Sequence, residues 1–144
     1  MVYLDTSFIA PLVIAEDSSD AVEAFVLKLK PGEIATSLWT QVELASLVSR
    51  KVRMEELSPA EAEAVRREFD RLLSESFELL VPAAADYAAA AEYLERPRTG
   101  LRAGDALHLA VAAGHGTKKI LTLDAGLINA GKLLKLPVAR GIRG

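Results

Sequence analysis

Apolar residues along the chain follow two rhythms: short runs of about four to six that suit a buried strand, and longer stretches that repeat every three or four positions and suit a helix. Val2-Tyr3-Leu4 is the first short run and ends at Asp5. A helix is expected from about Ser7, with Pro11 near its first turn, where a missing N–H costs least. Ala21 to Leu29 carries a second helical pattern, closed by Pro31-Gly32, and Glu33 to Thr36 a second strand. Ser37 is placed to cap a long helix through LWTQVELASLVSRK. Ser58-Pro59-Ala60-Glu61 combines an N-cap, a proline at the first helical position and a Glu three residues after the cap. It predicts a helix to about Ser76 with its charges outward. Glu78 to Val81 predicts a third strand broken by Pro82, and Ala83 to Leu94 an alanine-rich helix. ERPRTGLRAG is a loop, and Asp105 to Ala113 a helix ending at Gly114 and Gly116. Lys119 to Leu123 and Leu136 to Ala139 complete the strands.

Mostly apolar strands separated by helical crossovers imply a parallel sheet covered on both faces. No repeat, low-complexity tract or linker divides the chain. The expectation is therefore one three-layer α/β domain over residues 1–144, with a parallel sheet of about five strands flanked by helices. In such sheets ligands bind beyond the carboxyl ends of the strands.

Composition changes this picture little. A hydrophobic share of 51% supplies a core without staples, and the absence of cysteine removes disulfides, zinc–thiolate sites and cysteine nucleophiles together. The start MVYLDTSFIAPLV has no basic segment and is interrupted by Asp5, so a cytoplasmic protein is expected and not a secreted or membrane one. The net charge of −3 argues at first against a nucleic-acid partner. Setting aside four acids that could neutralise a cation leaves 16 acids against 17 bases, so the placement of charge matters more than its sum.

Those four acids are Asp5, Glu43, Asp105 and Asp124. Asp5 and Asp124 follow predicted strands, and crossover logic brings Asp105 back to the same edge. Glu43 shares a helix face with Trp39 and Leu47, at i−4 and i+4, and so points inward or into a pocket. Each has a structural alternative. Asp5 and Asp105 stand where a helix cap or first-turn acid is expected, Asp124-Ala125-Gly126 suits a turn, and Glu43 could reach past its apolar neighbours to water. Together they would repel one another unless a cation or a proton neutralises them. Oxygen donors without His or Cys suit Mg²⁺ or Mn²⁺.

Arg96, Arg98 and Arg102 concentrate just before Asp105 and are candidate phosphate contacts, with a solvated loop as the alternative. His108 shares a side with Asp105; a hydrogen-bonded core histidine is expected there, with a general acid as the alternative. His115 is expected at an exposed helix end, and Tyr3 and Trp39 in the core.

The segments VYLDTSFIAPLV, VELASLV, LRAGDALHLAVAA and ILTLDAGL resemble, in order and spacing, the four acidic signatures of the PIN-domain family, and most of all its VapC-type toxins. The resemblance spans Val2 to about Val138. It implies an endoribonuclease that uses Mg²⁺ or Mn²⁺, forms a homodimer, and is blocked by a VapB-like antitoxin. By resemblance Asp5, Glu43, Asp105 and Asp124 form the acidic site, with Asp5 and Asp105 as direct metal ligands and Glu43 and Asp124 ligating directly or through water. Ser7 and Thr122 match hydroxyls that hydrogen-bond the carboxylates or a metal-bound water.

Two other functions compete. A phosphatase or phosphotransferase would use Asp5 as nucleophile, but such enzymes want a second Asp two residues on, where this chain has Ser7. A binding scaffold of the same fold would need no chemistry, yet the chain keeps all four acids.

Overall fold

In the computed structural model, which describes residues 1–143, five strands form one all-parallel sheet. They are β1 (Val2–Leu4), β2 (Ile34–Ser37), β3 (Glu78–Leu80), β4 (Lys119–Leu121) and β5 (Val138–Ala139), ordered β3-β2-β1-β4-β5. The chain builds outward from β1 through β2 to β3, then crosses to the other side of β1 for β4 and β5. The β1/β4 boundary is thus the point where strand order reverses, and there the Asp5 N–H donates to the Leu121 carbonyl at 3.1 Å.

Seven helices cover the sheet: α1 (Thr6–Val13), α2 (Ser19–Val26), α3 (Leu38–Arg53), α4 (Pro59–Ser76), α5 (Ala84–Leu94), α6 (Ala103–Gly114) and α7 (Ala125–Leu133). Strand side chains alternate between two cores, as a pleated strand requires. Leu4 and Leu121 join Phe8, Ile9, Leu44, Val48 and Phe69 on one face. Tyr3 and Ile120 join Ala106, Leu109 and Leu127 on the other. The three-layer α/β architecture expected from the sequence is the one observed. Gly144, the last residue of the expected domain, lies outside the described residues. No helix among the described residues is long and apolar enough to cross a membrane.

Local chemistry explains most boundaries. Ser58 and Glu61 close a reciprocal capping box on α4, with the Glu61 N–H 3.1 Å from Ser58 Oγ and the Ser58 N–H 3.0 Å from Glu61 Oε1. Four details depart from expectation. Helix α1 starts one residue earlier than the expected Ser7, so Pro11 stands in its second turn, where Ser7's carbonyl loses its i+4 donor. Ser37 precedes α3 but does not cap it, because its hydroxyl accepts the Tyr3 O–H at 2.9 Å. The loop before Asp105 contains a 3₁₀ turn, Pro97–Thr99, and α6 begins at Ala103. The fourth strand stops at Leu121, and α7 follows where the pattern predicted only a turn.

Candidate active site

Four elements deliver the four acids to the carboxyl edge of the sheet. Asp5 leaves β1 and caps α1; its Oδ1 accepts the Phe8 N–H at 3.0 Å and the Ser7 hydroxyl at 2.7 Å, while Oδ2 accepts the Thr122 hydroxyl at 2.6 Å. Only 3% of its surface is exposed. Burial pushes its carboxyl above the ordinary range, against the nearby His108 and the three hydrogen bonds. Ser7 and Thr122 spend their protons on Asp5, so their mutual 3.0 Å approach is contact without donation. Their oxygens also accept the Leu123 and Asp124 N–H groups at 2.9 and 3.1 Å. These bonds sew the end of β1 to the end of β4.

Asp124 caps α7, its Oδ1 accepting the Gly126 N–H at 2.8 Å and the Leu127 N–H at 3.4 Å. Asp105 does not cap its helix. It lies in the first turn of α6, behind an N-cap at Arg102, and no hydrogen bond reaches its carboxylate among the described residues. Burial pushes its carboxyl up to about 6, and Asp124, Asp5 and Glu43 add repulsion that His108 partly offsets.

Glu43 projects from α3. Its Oε1 accepts the Thr6 hydroxyl at 2.6 Å and pairs with Nε2 of His108. Burial raises its carboxyl, but the bonds from His108 and Thr6 and the charge of His108 outweigh this, and it titrates below the ordinary value. His108 is a buried, hydrogen-bonded core histidine, as expected, but one of its partners is a site acid. His115 is exposed at the end of α6 and contacts the Val111 carbonyl through Nδ1 at 2.8 Å.

Glu43, Asp105 and Asp124 face a pocket of about 610 Å³ that Trp39, Leu101 and Arg102 also line. Asp5 is buried at the same edge and is not part of its wall. Tyr3 is fully buried, as expected. Trp39 departs from expectation: it packs on the second core yet also forms a wall of the pocket. Of the three arginines, Arg102 reaches this pocket, whereas Arg96 and Arg98 line separate grooves beside Glu95. Thr6 was not singled out in the sequence. The hydroxyl beside Asp5 in the Asp-Thr-Ser run was the available signal.

The donor set is all oxygen and fits Mg²⁺ or Mn²⁺ in kind, and the repulsion on Asp105 is of the sign a cation would relieve. As they stand, no three His, Asp or Glu side chains among the described residues are gathered closely enough to hold one ion together.

Comparison with known proteins bears on the fold and the family. No curated protein sequence is significantly similar to the chain. Among solved structures it is similar to VapC20 of Mycobacterium tuberculosis, described as a sarcin–ricin loop cleaving toxin. That match has a TM-score of 0.71 and 20% identity over 91% of this chain and 95% of the other. FitAcB from Neisseria gonorrhoeae is similar at a TM-score of 0.72 and 21% identity, over 98% of both chains. VapBC2 from Rickettsia felis, bound to a fragment of its promoter DNA, matches at 0.67 and 21%, over 96% of this chain and 98% of the other. The family model for the PIN domain matches residues 2–133. The chain belongs to the PIN-domain family.

Proposed function

We propose that this chain is a metal-dependent endoribonuclease and the toxin of a type II toxin–antitoxin pair. The observation that carries the reading is the convergence of Asp5, Glu43, Asp105 and Asp124 from four elements on one sheet edge, with Asp105 pushed up to about 6 by burial and then by its acidic neighbours. Asp5 and Asp105 are the proposed direct ligands of Mg²⁺ or Mn²⁺; Asp5 keeps a lone pair on Oδ2 beside its single bond from Thr122. Glu43 and Asp124 ligate directly or through water. A bound divalent ion would supply Lewis acidity and charge neutralisation for attack of water on a phosphodiester.

The chain's own groups do the rest. Ser7 and Thr122 orient Asp5, the pocket wall of Trp39 and Leu101 shapes access, and Arg102 offers the one cationic side chain in that wall. Asp5 as a phosphatase nucleophile is disfavoured, because a nucleophile must be reached by a bulky tetrahedral phosphoryl group and Asp5 is buried just behind the pocket wall, where a bare ion needs only its free lone pair. RNA as substrate, a homodimer, a VapB-like antitoxin and a cytoplasmic location belong to the same proposal, supported by family membership and by the toxin and VapBC neighbours.

The toxin role is tested in cells. Induced expression should arrest growth, Asp105→Asn should relieve the arrest, and co-expression of a short neighbouring reading frame should restore growth. Unimpaired growth beside RNA cleavage by the purified protein would assign a housekeeping nuclease instead. The arginines are tested by the salt dependence of RNA binding to a cleavage-inactive variant. Arg102→Ala should lower the slope of log affinity against log salt by roughly one. Arg96→Ala and Arg98→Ala, in separate grooves, should lower it less. An unchanged slope for Arg102→Ala would remove it from the phosphate contacts.

A further inference from the structure

Glu43 is fixed more firmly than a helix face alone would fix it. Its Oε1 takes the Thr6 hydroxyl at 2.6 Å and Nε2 of His108, from two other helices. His108 is itself clamped: it is 1% exposed, and its Nδ1 lies 2.7 Å from the Tyr3 hydroxyl, which donates onward to Ser37 Oγ at 2.9 Å. With the Tyr3 proton given to Ser37, the network assigns a donating N–H to His108 Nδ1, so the ring is oriented from behind by the sheet. A single proton between Nε2 and Oε1 closes the other end.

No hydrogen bond closes on the opposite oxygen of Glu43: the Trp39 indole N–H lies near enough to help hold the carboxyl low but does not reach bonding geometry. Gly104, at the start of α6, explains how it stays clear: a Cβ there would lie 2.8 Å from Oε2 and 3.2 Å from Trp39 Nε1. That indole nitrogen is the one buried side-chain polar atom without a partner among the described residues. Helix α6 therefore supplies both the histidine that ties Oε1 and the missing side chain that leaves Oε2 room.

We infer that His108, braced by Tyr3, is a positioning residue that holds Glu43 so that Oε2 stays presented to the pocket. The inference rests on the proposed metal site, since presentation of Oε2 matters only if an ion or its water is received there. Residues that orient metal ligands typically change metal affinity by about 10- to 100-fold when removed.

The test is calorimetric Mn²⁺ binding to the full chain, with circular dichroism to verify folding. His108→Gln places an amide N–H where Nε2 stands, and His108→Asn places one where Nδ1 stands. The Asn variant should bind Mn²⁺ at least about tenfold more weakly, and the Gln variant should return to within about threefold of wild type. Equal affinity of the two variants, whether at the wild-type level or below it, overturns the inference. If the Asn variant does not fold, Tyr3→Phe decides, because it removes only the brace. Weaker Mn²⁺ binding in a folded Tyr3→Phe protein supports the inference, and unchanged binding overturns it. Wild-type protein that binds no Mn²⁺ overturns the metal reading and this inference with it, whereas tight wild-type binding indifferent to these changes overturns this inference alone.

Discussion

Asp105→Asn is expected to abolish RNA cleavage and to raise the melting temperature of the metal-free protein. The two effects share one cause. Asp105 makes no hydrogen bond among the described residues, caps nothing, and sits half-buried beside Asp124, Asp5 and Glu43. Its folded carboxyl titrates at about 6, above its value in the unfolded chain, so the folded protein binds the proton more tightly. Below about pH 4 the group is protonated in both states and imposes no penalty; stability is then lost as pH rises through 6. At neutral pH the penalty is of order 1 kcal/mol once the partial exposure of the side chain is allowed for. That corresponds to a gain of about 3 °C for the Asn variant in EDTA. Melting curves in EDTA at about pH 3.5, below the unfolded value, and at pH 7 check it. Wild type and variant should melt together at the lower pH and separate at the higher. A variant less stable than wild type at pH 7 would make Asp105 a structural acid.

Asp5 gives a useful contrast. Burial penalises its charge too, but it also has three hydrogen bonds and the α1 cap. An Asn there keeps an acceptor for Ser7 and Phe8 and gives up the acceptor for Thr122. Asp5→Asn should therefore lose cleavage with the melting temperature close to wild type. Mg²⁺ should stabilise wild type more than either variant, since only a ligand that binds the folded state shifts the equilibrium.

The sequence disclosed the layers because burial sets the hydrophobic rhythm directly: β1 and β4 are apolar on both faces, and each face meets its own core. It disclosed the acids because strand ends and crossovers fix an edge. Features set by tertiary fit stayed hidden. Helix α7 contains Gly126 and Gly131, which helix propensity penalises, yet Gly131 is buried because Val138 of β5 packs where its side chain would be. Pro11 is tolerated in the second turn of α1 inside a core that leaves it little freedom. Ser37 has the residue type of a cap but is claimed by Tyr3 across the sheet, a contact 34 residues away in sequence. Trp39 has the composition of a core residue, and only its place beside the α6 start makes it a pocket wall. The separation of Arg102 from Arg96 and Arg98 follows from the 3₁₀ turn, whose left-handed Gly100 redirects the chain between them.

Removal of metal is the second change expected to have a large effect. The pocket holds carboxylates and Arg102 but no serine, threonine or cysteine nucleophile, so attack on a phosphodiester falls to water, which a bound ion would activate. On the proposed reading the same carboxylates would become ligands of a divalent ion, and their mutual repulsion would turn into affinity. Magnesium and manganese should both support cleavage, and the loss on chelation should be complete. Asp105→Asn should stay inactive at any metal concentration that serves the wild type. The decisive measurement is cleavage of structured and single-stranded RNA by the purified chain with Mg²⁺ or Mn²⁺, with EDTA, and with metal restored in excess. The account predicts cleavage with metal, none in EDTA, full recovery on restoration, and none from Asp105→Asn under any of these conditions. Undiminished cleavage in EDTA, or wild-type cleavage by Asp105→Asn, would contradict it.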